Sequence, residues 1–290
     1  MSTAQRPYLP FDPVVASPRQ RLPTGSCDCH FHVFEDPRQF PLGEPRTYTP
    51  TLATLDHYRA MARAVGLERA VLVHPSVYGR DHRTFERALA ASQDWMRGVA
   101  VVFADTAQED IARWHALGSR GTRCNSLFAG GAEVGALAAV ADRVRPFGWH
   151  LQMLVDVSAT PALLGHVAGF GLPLVVDHFG HLPIERGVQD AGFRNLLALL
   201  REGNTWVKLS GPYRLTATRQ GFADLQPLVD RLLDANPDRL VWGSDWPHPA
   251  ITPPPMVNDG ALADALFDWL DADARQKVLV DNPTQLYWKD

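Results

Sequence analysis

Three short stretches and two isolated arginines hold the side chains best suited to chemistry. Cys27-Asp28-Cys29-His30-Phe31-His32-Val33-Phe34 sets two imidazoles two residues apart. Side chains on a strand alternate, so Asp28, His30, His32 and Phe34 are expected on one face and Cys27, Cys29, Phe31 and Val33 on the other. A histidine pair converging on one volume suits acid–base, electrophilic or metal-centred chemistry. A bare His-x-His is more often a pair of ordinary core or solvated histidines, so the other stretches carry the weight. In Trp242-Gly-Ser-Asp245-Trp-Pro-His248-Pro249, Gly and Pro fix the backbone and aromatic rings exclude water. A carboxylate there serves as a metal ligand or as a general base on an attacking water. His178, in Asp177-His-Phe-Gly-His181, is a candidate ligand or oxyanion donor, while His181 and His74 divide evenly between core and site. Arg123 and Arg214 offer the guanidinium fork that matches a carboxylate, with a surface ion pair as the ordinary alternative.

These residues need a scaffold that brings distant segments together. Apolar strand-like runs begin near residues 27, 69, 98, 121, 149, 173, 205 and 239, and helical spacing follows, at 52–65, 83–93, 107–117, 132–147, 161–169, 190–201 and 222–233. Strands apolar on both faces that alternate with amphipathic helices imply a parallel sheet covered on its outside. Eight such units predict an α/β fold, a single-domain (β/α)8 TIM barrel over 26–290, preceded by an extended Pro-rich arm over 1–25. A doubly wound open sheet is the alternative, but no Gly-x-Gly-x-x-Gly follows the first strand. Catalytic groups of such barrels gather at the C-terminal ends of the strands. His30, His32, His74, Ser76, Arg123, His178, Ser210, Arg214, Asp245 and His248 all fall at or just after those ends.

Composition narrows the partners. The 290 residues are 46% hydrophobic and 21% charged, with net charge −4 and Arg spread along the chain. That pattern predicts no nucleic-acid and no membrane partner. No apolar run approaches the roughly 18 to 20 residues of a span, and residues 1–25 lack a signal-peptide core, so a cytoplasmic protein is expected. The three cysteines form no disulfide framework, and Cys124 is expected to be a buried thiol.

Asp28-Cys-His-Phe-His32, Val176-Asp-His-Phe-Gly180 and Trp242-Gly-Ser-Asp-Trp-Pro-His-Pro249, with Asp281-Asn-Pro-Thr-Gln-Leu-Tyr-Trp288, together resemble the amidohydrolase superfamily (amidohydrolase 2 family). The similarity is to the branch of 2-pyrone-4,6-dicarboxylate lactonase and sugar-acid lactonases. The resemblance implies a distorted barrel and a catabolic hydrolase that opens a lactone ring. Asp245 would be the general base for water, and His30, His32 and His178 would polarise the carbonyl. Tyr48, Ser76, Arg123 and Arg214 match substrate-holding positions, and His248 is added as a binding candidate. Where the pyrone enzyme has a further Arg and a Tyr, this chain has Ala129 and Leu154, which implies a less acidic or more apolar lactone. The fifth strand has no histidine near its C-terminal end, where metal-dependent members carry one, so no obligatory metal is expected. Were a Zn2+ bound, His30, His32, His178 and Asp245 would hold it. The alternatives are a Zn- or Mn-dependent hydrolase or decarboxylase of the same superfamily, and a barrel that only binds a small carboxylate.

Overall fold

The computed structural model describes residues 8–216, 221–252 and 255–289. Eight parallel strands follow one another in chain order: β1 (Cys27–Phe31), β2 (Arg69–Val73), β3 (Met96–Ala100), β4 (Ser119–Asn125), β5 (His150–Leu154), β6 (Leu174–Val176), β7 (Thr205–Ser210) and β8 (Leu240–Gly243). The sheet curls until its edges meet. Just past β8 the Asp245 amide donates to the His30 carbonyl at 2.8 Å, and the His32 amide donates to the Trp246 carbonyl at 2.8 Å. The architecture is therefore the expected (β/α)8 barrel, nearly closed and in one domain.

Both faces of the strands are buried. Ala70, Leu72, Val176, Val207, Leu209 and Leu240 join the large apolar layer beneath the helices, while Cys27, Cys29, Val71, Val73, Val99, Val175 and Val241 fill the lumen. Seven helices alternate with the strands: α1 (Leu55–Val65), α2 (Arg83–Ala90), α3 (Gln108–Ala116), α4 (Leu137–Val144), α5 (Leu163–Ala168), α6 (Ala191–Glu202) and α7 (Gln226–Ala235). After β8 come α8 (Asp259–Trp269), α9 (Ala272–Gln276) and α10 (Asn282–Tyr287). Tyr287 packs with the lumen cluster, its ring 5.4 Å from that of His150.

Several helix ends differ from the periodicity for local reasons. α1 starts three residues late because the Thr54 side chain accepts from the His57 amide, a capping box, and it stops at left-handed Gly66. The segment before α4 is drawn away because Ala132 bridges to Cys124 of β4. α7 begins only at Gln226, since Phe222 has a φ of +49° and a short 3-10 turn intervenes. Of the predicted arm, residues 1–7 lie outside the described residues. Residues 8–25 hold neither helix nor strand and lie against α8, with the Arg19 amide donating to Asp264 at 2.7 Å and its guanidinium to Asp268 at 2.8 Å. Among the described residues no helix is long and apolar enough to cross a membrane.

The strict alternation expected in β1 breaks once. Asp28 pairs with Ala70 and Phe31 with Leu72, so three steps on β1 oppose two on β2, a bulge. Cys29 stays in the lumen cluster and His30 also turns inward, towards Asp177 and Lys208. Asp28 points the other way and accepts from the Tyr58 hydroxyl of α1 at 3.1 Å. Asp28 and His30 thus do not share a face.

Candidate active site

At the C-terminal ends of the strands, His32, Tyr48, Ser76, Arg123, His178, Arg214 and Asp245 line one narrow cleft, together with Phe128, Leu154 and His181. His30 lies just beneath, fully buried. His248 does not reach the cleft. It is buried behind Tyr213, with Nδ1 3.1 Å from the Tyr213 hydroxyl and Nε2 3.2 Å from Asp259. His74 lies apart, stacked on His82 at 3.9 Å. Cys124 is buried against the Ala132 carbonyl, and burial pushes its thiol up to about 12.

The bulge in β1 and the seam with β8 bring two imidazoles and one carboxylate together. His32 Nδ1 lies 2.7 Å from the Val73 carbonyl, and His30 Nδ1 lies 3.2 Å from Asp177. The Val73 carbonyl is an acceptor, so His32 Nδ1 carries the hydrogen and its Nε2 keeps a lone pair, while His30 Nδ1 lies between the Asp177 carboxylate and a donor, Lys208 Nζ, at 3.3 Å. The two Nε2 atoms are 3.3 Å apart and each is 3.8 Å from Asp245 Oδ1. The His32 lone pair and the Asp245 carboxylate face this gap and can accept the hydrogens of a water molecule or hold a cation. His178 differs: its Nδ1 is 2.8 Å from the Ser210 hydroxyl, which can donate to it and leave a hydrogen on Nε2. Ligand atoms of His30, His178 and Asp245 lie within 4.8 Å of one another, a group with the donor set and spacing for a divalent ion.

Asp245 is anchored from one side. Its Oδ2 accepts from Arg214 Nε at 2.7 Å and from the Tyr213 hydroxyl at 2.7 Å, which leaves Oδ1 towards the histidines. Burial opposes its ionisation, but Arg214, His178, His30 and His32 outweigh burial and hold the carboxyl well below its usual range. On the imidazoles burial prevails over the raising pull of Asp245 and Asp177. It lowers His32 and His178 to about 4 and His181 to about 3, and takes His30 well below its ordinary value. The site is a set of neutral imidazoles around an ionised carboxylate.

The loops that present these groups are strained. His178, Phe179 and His181 have φ of +51°, +55° and +52°, and Asp245, His248 and Ala250 have φ of +61°, +59° and +65°. Each left-handed non-glycine residue costs roughly 1–2 kcal/mol, and such strain gathers where function over-determines the backbone. Here the His248 amide donates to the Asp245 carbonyl at 2.7 Å, and the Gly180 amide to that of Asp177 at 3.0 Å.

Sequence reasoning passed over four groups. Asp177 accepts from Arg123 at 2.8 Å and from Gln152 at 3.1 Å; Lys208 is fully buried among them; Tyr213 anchors Asp245. The readable signal was Lys208 itself, a charge in the otherwise apolar inner register of Trp206-Val-Lys-Leu.

Residues 27–288 match the Amidohydrolase family model. The chain is 32% identical over 287 residues to 2-pyrone-4,6-dicarboxylate hydrolase of Comamonas testosteroni, covering 95% of this chain and 94% of that one. It is 32% identical over 275 residues to 4-sulfomuconolactone hydrolase of Hydrogenophaga intermedia, covering 92% and 89%. A crystal structure from Pseudomonas putida, described as a 2-pyrone-4,6-dicarboxylic acid hydrolase, superposes with a TM-score of 0.80 at 32% identity over 92% of this chain and 98% of that one. With a strand-end site on a (β/α)8 barrel and a family match over nearly its whole length, this chain belongs to the amidohydrolase family.

Proposed function

We propose that the protein hydrolyses the ring ester of a small, carboxylate-bearing lactone. The observation that carries this reading is Asp245 Oδ1, 3.8 Å from the Nε2 atoms of His30 and His32 at the base of the cleft. Two relatives named as hydrolases of a pyrone dicarboxylate and of a muconolactone support it.

The tautomers divide the labour of the three imidazoles. His32 Nε2 accepts from the attacking water, the His30 ring beside it fixes the water's position, and Asp245 takes its proton as the oxygen bonds to the carbonyl carbon. The His178 Nε2–H faces the oxyanion that develops. The tetrahedral intermediate collapses by breaking the ring C–O bond, and the leaving oxygen recovers the proton from Asp245, giving the hydroxy acid. Tyr48, Ser76, Arg123 and Arg214 hold the remainder of the substrate. No ion is obligatory in this scheme. A divalent ion held by His30, His178 and Asp245 would add polarisation of the carbonyl.

A pH-indicator screen of lactone and enol-lactone acids tests the reading. Asp245→Asn is expected to keep ligand binding and to lose about 10³-fold or more in kcat, the scale of a removed general base. Unchanged turnover in that variant overturns the assignment of the base. Activity that disappears with chelator and returns with Zn2+ or Mn2+ favours the metal-dependent alternative.

A further inference from the structure

Beneath the cleft, polar side chains interrupt a lumen that is otherwise apolar. Lys208, fully buried, donates to the Cys29 carbonyl at 2.9 Å and to Gln152 Oε1 at 2.8 Å, and its Nζ lies 3.3 Å from His30 Nδ1 and 3.5 Å from Asp177 Oδ1. Asp177 meets His30 Nδ1 at 3.2 Å through Oδ1 and accepts from Arg123 Nε at 2.8 Å through Oδ2. Among the described residues Asp177 is the one side-chain acceptor of Arg123, whose guanidinium lines the cleft. A buried ion pair carries a desolvation penalty that apolar side chains of similar size would avoid, so stability alone does not explain it.

One carboxylate here serves two cations. Arg123 and Lys208 bring two formal positive charges against the single negative charge of Asp177, leaving one in surplus under the cleft. Asp28, also on β1, faces away and is met by Ser244, Tyr58 and a backbone amide, all neutral donors. The same Asp177 fixes the inner edges of both the Arg123 fork and the His30 ring.

We propose that Asp177 and Lys208 form a hub with two separable outputs. Lys208 is a specificity-determining residue: it supplies the surplus charge that makes the Arg123 fork select a substrate with one carboxylate over one with none or two. Asp177 is a positioning residue that orients His30 for the chemistry. The kinetic output rests on the lactone-hydrolase reading; the affinity output does not.

The test uses non-reacting probes, benzoate, benzamide and isophthalate, titrated calorimetrically into the wild type, Lys208→Met, Asp177→Asn and the double variant. Local surplus charge is one in the wild type, zero in Lys208→Met, two in Asp177→Asn and one again in the double variant. The benzoate preference over benzamide is expected to fall by about tenfold in Lys208→Met and to return to the wild-type value in the double variant. With a lactone acid that the wild type opens, kcat is expected to fall by about 100-fold in both Asp177→Asn and the double variant, the scale of a misplaced reacting group. If Lys208→Met does not fold, Asp177→Asn and the double variant still differ by one charge. Equal benzoate preference in all folded variants, tighter wild-type binding of isophthalate than benzoate, or wild-type kcat in the double variant overturns the proposal. If the wild type opens no lactone, the hydrolase reading falls, and the affinity series alone decides on the hub.

Discussion

Replacing Arg214 by Met removes the leading counter-charge of Asp245 while keeping much of the side-chain volume. Their contact is 2.7 Å, between groups 12% and 1% exposed. At an effective dielectric of about 20 the attraction over that 2.7 Å is about 6 kcal/mol. Arg214 no longer has to be desolvated in the variant, so the net loss is about 3–5 kcal/mol. The pH dependence follows from the sign of the shift. In the intact protein the Asp245 carboxyl is held low against burial, chiefly by Arg214. The stability it contributes is complete above the unfolded value of about 4 and is lost as pH falls through the folded value. Without Arg214, burial prevails, the folded carboxyl moves up, and at neutral pH a poorly compensated charge is stranded inside. The deficit should therefore be greatest near pH 7 and shrink towards pH 4. Urea unfolding of both proteins at the two pH values measures it. A deficit under about 1 kcal/mol at pH 7, the scale of an exposed pair, or one independent of pH, would refute the reasoning.

Tyr213→Phe removes the 2.7 Å donor to Asp245 and is expected to cost about 1.5–3 kcal/mol of stability and to lower kcat more than KM, read by thermal unfolding beside steady-state kinetics. Burial raises the Asp28 carboxyl to about 6, so the stability linked to it is complete below about pH 4 and is lost as pH rises through 6, by about 3 kcal/mol in all. The difference in unfolding free energy between the wild type and Asp28→Asn should therefore shrink by that amount from pH 4 to pH 7, and a constant difference contradicts the linkage. In Gly243→Ala the new Cβ would lie 2.6 Å from His30 Cβ and 2.8 Å from its backbone nitrogen. Prising β8 from β1 should cost at least about 1–3 kcal/mol and most of the turnover, and a stable, active variant argues against so tight a seam.

The barrel was legible because most strands, β4 with its two arginines excepted, are short apolar runs and several helices are followed by a glycine, Gly66 and Gly118 among them. Asp245 stood out through its Gly, Pro and Trp neighbours. The inward turn of His30 was hidden, since a bulge is a property of the pairing between β1 and β2 and not of either strand alone. Lys208 was visible as an oddity, but its carbonyl and amide partners are 179 and 56 positions away, beyond the reach of any local pattern. The place of His248 was hidden for another reason: its φ of +59° and that of Asp245 aim the two side chains apart, and positive φ at non-glycine residues has no reliable sequence signal.

The main-chain stitch between His30 and Asp245 has an evolutionary corollary. It joins atoms that every amino acid but proline possesses, so the distance between the His30 imidazole and the Asp245 carboxylate survives most side-chain changes nearby. The walls of the cleft, in contrast, come from Tyr48, Ser76 and Phe128 on separate loops. On the proposed function, reaction and recognition are thereby carried by different parts of the molecule, and descendants of this scaffold are free to change the cleft walls while inheriting the stitched pair whole.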